Sequence, residues 1–161
     1  MRSRTALLAE WDVLRAWIGD LLDDPDADAL LAQPSALDGW TVADLIAHVA
    51  QSLRPVVGAE RAPRGTRAQS VAERLAGYSA RAEGIAAASR DLAAESGDDL
   101  AGLLDRLSGE ARSVLDALGD DPKQVVTTAA GAIRLDDLLV SRVIELVVHG
   151  DDLVRSLPGR A

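Results

Sequence analysis

Glu145 and His149 stand four residues apart near the end of a chain that holds two histidines, the other being His48. On a helix this spacing puts both side chains on one face, with Cβ atoms about 5–6 Å apart. An H-E-x-x-H helix uses the same geometry to present two histidines to one zinc ion. A metal centre needs at least one further ligand from another element, and His48 is the remaining imidazole. The chain has no cysteine, which excludes thiolate ligands, a cysteine nucleophile and disulfides.

The element that must carry the pair is the last helix, expected over residues 137–156, with Asp136 as its cap and Pro158 and Gly159 beyond its end. On a helical wheel Ser141, Arg142, Glu145, His149, Asp152 and Ser156 share one side. Two readings are open. The stripe is the wet face of an amphipathic helix, or it faces a cavity. The apolar arc of this helix (Leu139, Val140, Val143, Ile144, Leu146, Val147, Leu153, Val154) is broader than the roughly 100° stripe of a surface helix. That breadth predicts a central helix whose polar side lines a cavity, where unpaired Glu and His would be costly.

His48 belongs to a second predicted helix that starts at Thr41 and runs to about Arg54, where Pro55 kinks or ends it. Thr41 and Asp44 have capping-box spacing, with Trp40 placed to staple onto Leu45. Val42, Ile46, Val49 and Leu53 form its apolar side; His48 falls opposite, with Asp44, Gln51 and Ser52. Leu7, Trp11, Leu14, Ile18 and Leu21 mark an earlier amphipathic helix over residues 4–22, stopped by Asp23-Asp24-Pro25-Asp26. Residues 54–68 read as a Pro/Gly/Arg loop whose arginines could meet an anionic substrate, with a solvated loop the favoured reading. An Ala-rich helix over 69–94, with Val71, Leu75, Tyr78, Ile85 and Leu92 inward, precedes a break at Glu95-Ser96-Gly97-Asp98 and a helix from Leu100 to Leu118. Extended segments flanking Ala130-Gly131 predict a short β-hairpin. The fold class is therefore all-α, a bundle with a hairpin before its last helix, and residues 1–161 make a single domain.

A formal charge of −9 lacks the basic footprint that phosphate backbones require, so nucleic acid is not an expected partner. Neither a signal-peptide apolar region nor a run of about 20 apolar residues is present, which predicts a cytoplasmic protein without membrane contact.

Gly39–Ala50 (G-W-T-V-A-D-L-I-A-H-V-A) and Arg142–Leu153 (R-V-I-E-L-V-V-H-G-D-D-L) together resemble the N-terminal domain of the mycothiol-dependent maleylpyruvate isomerase family, a branch of the DinB-like four-helix metalloproteins. The likeness runs through the whole chain in order. It implies that His48, Glu145 and His149 are the ligands of a divalent metal, zinc by preference, although the same set suits Fe(II) or another divalent ion. It casts Asp152 as the acid that orients His149 or the metal-bound water during catalysis. It further implies mycothiol or a similar small-molecule thiol as co-substrate, with thiol S-transfer or thiol-assisted isomerisation of an electrophilic substrate, by a monomer or homodimer. The rival reading is a metal-binding helical module with a regulatory or scaffolding role and no turnover. Family isomerases carry a second domain, whereas this sequence stops at Ala161, so the expectation is a more generic member than the isomerase itself.

Overall fold

The 4-3-4-3 spacing of apolar residues at the N-terminus builds one long helix, α1 (Arg2–Leu22), which buries Leu7, Trp11, Leu14, Ile18 and Leu21 as the pattern requires. The computed structural model describes residues 2–97 and 99–159. Along the chain follow α2 (Ala27–Leu31), α3 (Val42–Gln51), α4 (Arg54–Val57), β1 (Glu60–Arg61), α5 (Val71–Ala76), a 3-10 turn (Ser79–Arg81), α6 (Ala82–Ser96), α7 (Leu100–Leu118), β2 (Val125–Thr128), β3 (Gly131–Arg134) and α8 (Leu135–Ser156).

α3 sits at the centre, packed on α6, α7 and α8, with α1 laid along α8. Its start carries the expected capping box: Thr41 Oγ1 accepts from the Asp44 backbone N–H at 3.1 Å, and Asp44 accepts from the Thr41 N–H at 2.8 Å. Every residue from Leu45 to Ala50 is buried. One face, with Val42, Ile46 and Val49, joins Leu103, Leu104 and Leu115 of α7 and Leu138, Leu146 and Leu153 of α8 in the apolar core. The other face is enclosed too, which a single-stripe reading of α3 does not anticipate.

The hairpin forms where expected, pairing Val126 with Ile133, both fully buried. Gly131 holds φ at +102°, a left-handed value that favours glycine over a residue with a Cβ. A third strand was not foreseen. Glu60 and Arg61 pair antiparallel with Thr127 and Val126, so the sheet runs β1-β2-β3.

Four expectations fail in detail. Pro55 does not end the His48 helix; α3 stops at Gln51, and Pro55 lies in the first turn of α4, where its missing N–H costs nothing. The Ala-rich stretch is not one helix, because Gly77 ends α5 and a 3-10 turn precedes α6. In α5 the residue that is buried is Arg74, whereas Val71 and Leu75 are only partly so. Asp136 is no cap: α8 begins at Leu135, and Asp136 instead accepts a hydrogen bond from Ser3 of α1. Gly97, at φ +51°, closes α6; Asp98, placed in the same break, lies outside the described residues.

Candidate metal centre

α3 brings His48 to the inner side of α8, where Glu145 and His149 occupy successive turns. His48 Nε2 lies 3.8 Å from Glu145 Oε2, and His149 Nε2 lies 3.6 Å from the same oxygen. One candidate ligand atom from each of the three residues falls within 4.8 Å of the others. Donors around a tetrahedral ion with bonds of about 2.1 Å stand about 3.4 Å apart, so small side-chain adjustments suffice to close this set on a cation. The donor chemistry fits as well: two imidazoles and a carboxylate with room on one side.

Each imidazole is held through its other nitrogen. His48 Nδ1 lies 3.0 Å from Ser89 Oγ of α6. The Ser89 hydroxyl has acceptors for its one proton in the Ile85 carbonyl, at 2.9 Å, and Gln51 Oε1, so its oxygen is left to accept from the His48 Nδ1–H. His149 Nδ1 lies 3.1 Å from Asp152 Oδ2 and donates to it. Both arrangements fix the tautomer that turns an Nε2 lone pair toward Glu145. The two rings stand edge-on with centroids 4.5 Å apart, and Trp40 is edge-on to His48 at 5.3 Å.

Burial raises the Glu145 carboxyl, but the facing imidazoles of His149 and His48 and the nearby Arg142 charge outweigh it and hold the group well below the ordinary carboxylate value. Burial lowers His149, yet the carboxylates of Glu145 and Asp152 beside it bring its net value above that of a free imidazole. Arg142 is 4% exposed and anchored by Ser141 Oγ at 3.2 Å, the Ser52 carbonyl at 3.3 Å and the Tyr78 hydroxyl, with Nη2 4.0 Å from Glu145 Oε1.

His48, Glu145, His149 and Asp152, singled out from sequence, thus meet at one place. The wet-face reading fails for His48, which is 7% exposed. The argument that predicted the cavity fails as well. Val140, Ile144, Val147 and Val154 of the broad apolar arc are 36–50% exposed, so α8 is not wrapped on all sides. Its polar stripe nevertheless faces a cavity of about 680 Å³. Sequence reasoning placed Tyr78 inward without a site role and did not single out Ser89 or Arg74. Ser89 lies in an Ala-rich helix with no signal to mark it, and Arg74 stands between Val71 and Leu75 with no pattern to set it apart from a solvated charge.

The model of the mycothiol maleylpyruvate isomerase N-terminal domain family matches residues 6–154. The chain belongs to that family. Its fold is shared with the crystal structure of the mycothiol-dependent maleylpyruvate isomerase at a TM-score of 0.58 and 22% identity, over 95% of this chain. The match covers 61% of that longer protein. No curated protein matches the chain. Family membership and the helical DinB-like architecture therefore agree with the resemblance carried by the Gly39–Ala50 and Arg142–Leu153 segments.

Proposed function

We propose that this family member is a metal-dependent enzyme that activates a low-molecular-weight thiol, mycothiol or a close analogue, for S-transfer to an electrophile or for thiol-assisted isomerisation. The observation that carries the reading is the convergence of His48 Nε2, the Glu145 carboxylate and His149 Nε2 on one side of a sizeable cavity. A divalent ion bound by these three residues, zinc by preference, supplies the Lewis acidity that keeps a thiol as thiolate at neutral pH. The absence of cysteine fits a sulfur nucleophile that arrives with the co-substrate.

The chain's own residues set the stage for that chemistry. Ser89 and Asp152 aim the two imidazoles; Arg142 keeps Glu145 ionised and is itself locked by Tyr78, Ser52 and Ser141. Trp40 and Ile85 on the cavity wall limit water around the nucleophile. Asp152 is the positioning acid beside His149, within hydrogen-bond reach of its Nδ1.

The test begins with metal analysis of protein purified without chelator. One ion per chain is expected, lost in His48→Ala while the fold persists; wild-type protein that takes up no metal rejects the proposal. Consumption of a chlorinated dinitrobenzene that requires both mycothiol and the bound metal is the activity expected. Stoichiometric metal without turnover for any thiol instead identifies a binding module of regulatory or scaffolding role.

A further inference from the structure

Four arginines line the cavity, Arg54, Arg74, Arg81 and Arg142, against one carboxylate, Glu145, among the described residues that form its wall. This local excess of positive charge stands in a chain of net charge −9. Glu145 is already engaged by Arg142 and the two histidines. Arg81 is satisfied by the Gly77 carbonyl at 3.0 Å and the Arg74 carbonyl at 3.3 Å, and lies over the Tyr78 ring.

Arg74 differs from the others. It is 3% exposed and forms no ion pair among the described residues. Its Nη1 donates to a neutral oxygen, Thr128 Oγ1, at 3.3 Å, and its Nε has no hydrogen-bond partner. A buried guanidinium lacking a counter-charge is costly, and truncating a partner around such a group is among the more destabilising changes a protein can suffer. The chain nevertheless builds its position with care. Ser70 and Glu73 form a capping box at the start of α5, and Gln69 ties that start to the hairpin through its N–H to Ala132, at 2.9 Å, and its Nε2 to Ala130, at 2.9 Å. Burial, followed by the Arg142 charge, presses Arg74 toward lower basicity, against a smaller opposing pull from the neighbouring Tyr78 hydroxyl.

We propose that Arg74 is the anion-recognising residue of this cavity and that the ligand it takes carries an oxyanion, a carboxylate or a phosphate, received by the guanidinium through its unpartnered Nε. A guanidinium presents its N–H groups as a fork matched to two oxygens of one such group, which a lysine ammonium does not. The inference rests on the reading of the cavity as a substrate site. It narrows the electrophile to an anionic one whose charged end lies by the hairpin and α5 while its reactive end lies by His48 and His149.

Equilibrium titration at low ionic strength, followed by tryptophan fluorescence because Trp40 lines the cavity, tests it with succinate, inorganic phosphate and the uncharged succinamide. Saturable binding of succinate or phosphate, with none for succinamide, is expected; the tighter of the two anions identifies carboxylate or phosphate as the natural group. Arg74→Gln should weaken that binding by at least about tenfold, while Thr128→Val, which removes only the neutral partner, leaves it within about twofold. Should Arg74→Gln fail to fold, Arg74→Lys decides, since it keeps the charge without the fork: an equal loss supports the assignment and unchanged affinity overturns it. Anions that bind no better than succinamide, or equally well to folded Arg74→Gln, also overturn it. The same titration in metal-free His48→Ala separates this inference from the thiol reading. Binding retained there and lost on adding Arg74→Gln places the anion on the arginine whatever the metal does, whereas binding lost with the metal alone assigns the anion to the ion and rejects Arg74.

Discussion

Ser89 illustrates how much of a site rests on residues that touch no ligand. Its hydroxyl faces two acceptors and so serves as acceptor for His48 Nδ1–H, which leaves the opposite nitrogen bare. Ser89→Ala should therefore leave the fold intact and lower zinc affinity by about 10- to 100-fold, measured by competition with a chromogenic chelator. Asp152→Asn keeps an oxygen near His149 Nδ1 but removes the charge, and a loss toward the lower end of that range is expected in the same assay. Equal affinities across wild type and both variants would show that neither side chain orients its histidine. None of this was legible from the single sequence: His48, Glu145, His149 and Asp152 carry distinctive types and spacings, but a serine amid alanines does not.

At the scale of elements, α3 owes its start to a capping box and its centrality to having both faces covered. Thr41→Ala should cost about 1 kcal/mol in urea denaturation, the usual worth of such a cap. α1 and α7 are joined by Arg15, whose Nε and Nη2 reach both Asp105 oxygens at 2.8 and 3.0 Å. Hydrogen bonding from Arg15 is the largest influence on Asp105 and, with its charge, overcomes a small opposing effect of burial to hold the carboxyl below its ordinary value. A depressed folded-state value adds stability above the unfolded carboxylate value, and that stability disappears as pH falls through the folded one. Asp105→Asn should thus lower stability at neutral pH by about 0.2–1 kcal/mol, as befits an exposed pair, and make no difference once the acid is protonated. A penalty that persists in acid would mean the carboxylate charge is not what matters. The capping box and the helix α7 were readable in the sequence because both are local patterns; the division of the 69–94 stretch was not, because alanine supports a helix without saying where Gly77 will end one.

The whole molecule folds around the α3, α7 and α8 interface, in which Leu104 is fully buried. Leu104→Ala should cost about 3 kcal/mol, read from chemical denaturation, since a large aliphatic side chain is lost where the surroundings cannot fully collapse. Because the three proposed ligands come from α3 and α8, a bound ion would tie two core helices together and bind only the folded chain. Free metal at about a thousand times its dissociation constant adds about 4 kcal/mol. At about 2–4 °C per kcal/mol for a domain of this size, exhaustive chelation should lower the melting temperature by on the order of 10 °C. An unchanged melting temperature would argue that no structure-linked ion is held. Among the described residues no helix is long and apolar enough to cross a membrane, in keeping with the absence of any long apolar run.

The amino-acid order alone determined what depends on near neighbours along the chain: the α1 stripe, the Thr41 cap, the hairpin around Ala130-Gly131, and the pairing of Glu145 with His149 on one helical face. Periodicity of this kind is a property of a single element, and it follows from backbone geometry whatever the element packs against. Only the tertiary structure decided which polar faces are enclosed. Periodicity reports how wide an apolar arc is and not which part of it finds a partner, so a broad arc on α8 suggested burial on all sides where four of its residues are in fact partly open to water. His48 and Arg74 are the converse. Both carry polarity suited to solvent, and both are buried because separate helices and the β-hairpin close over them to form one cavity.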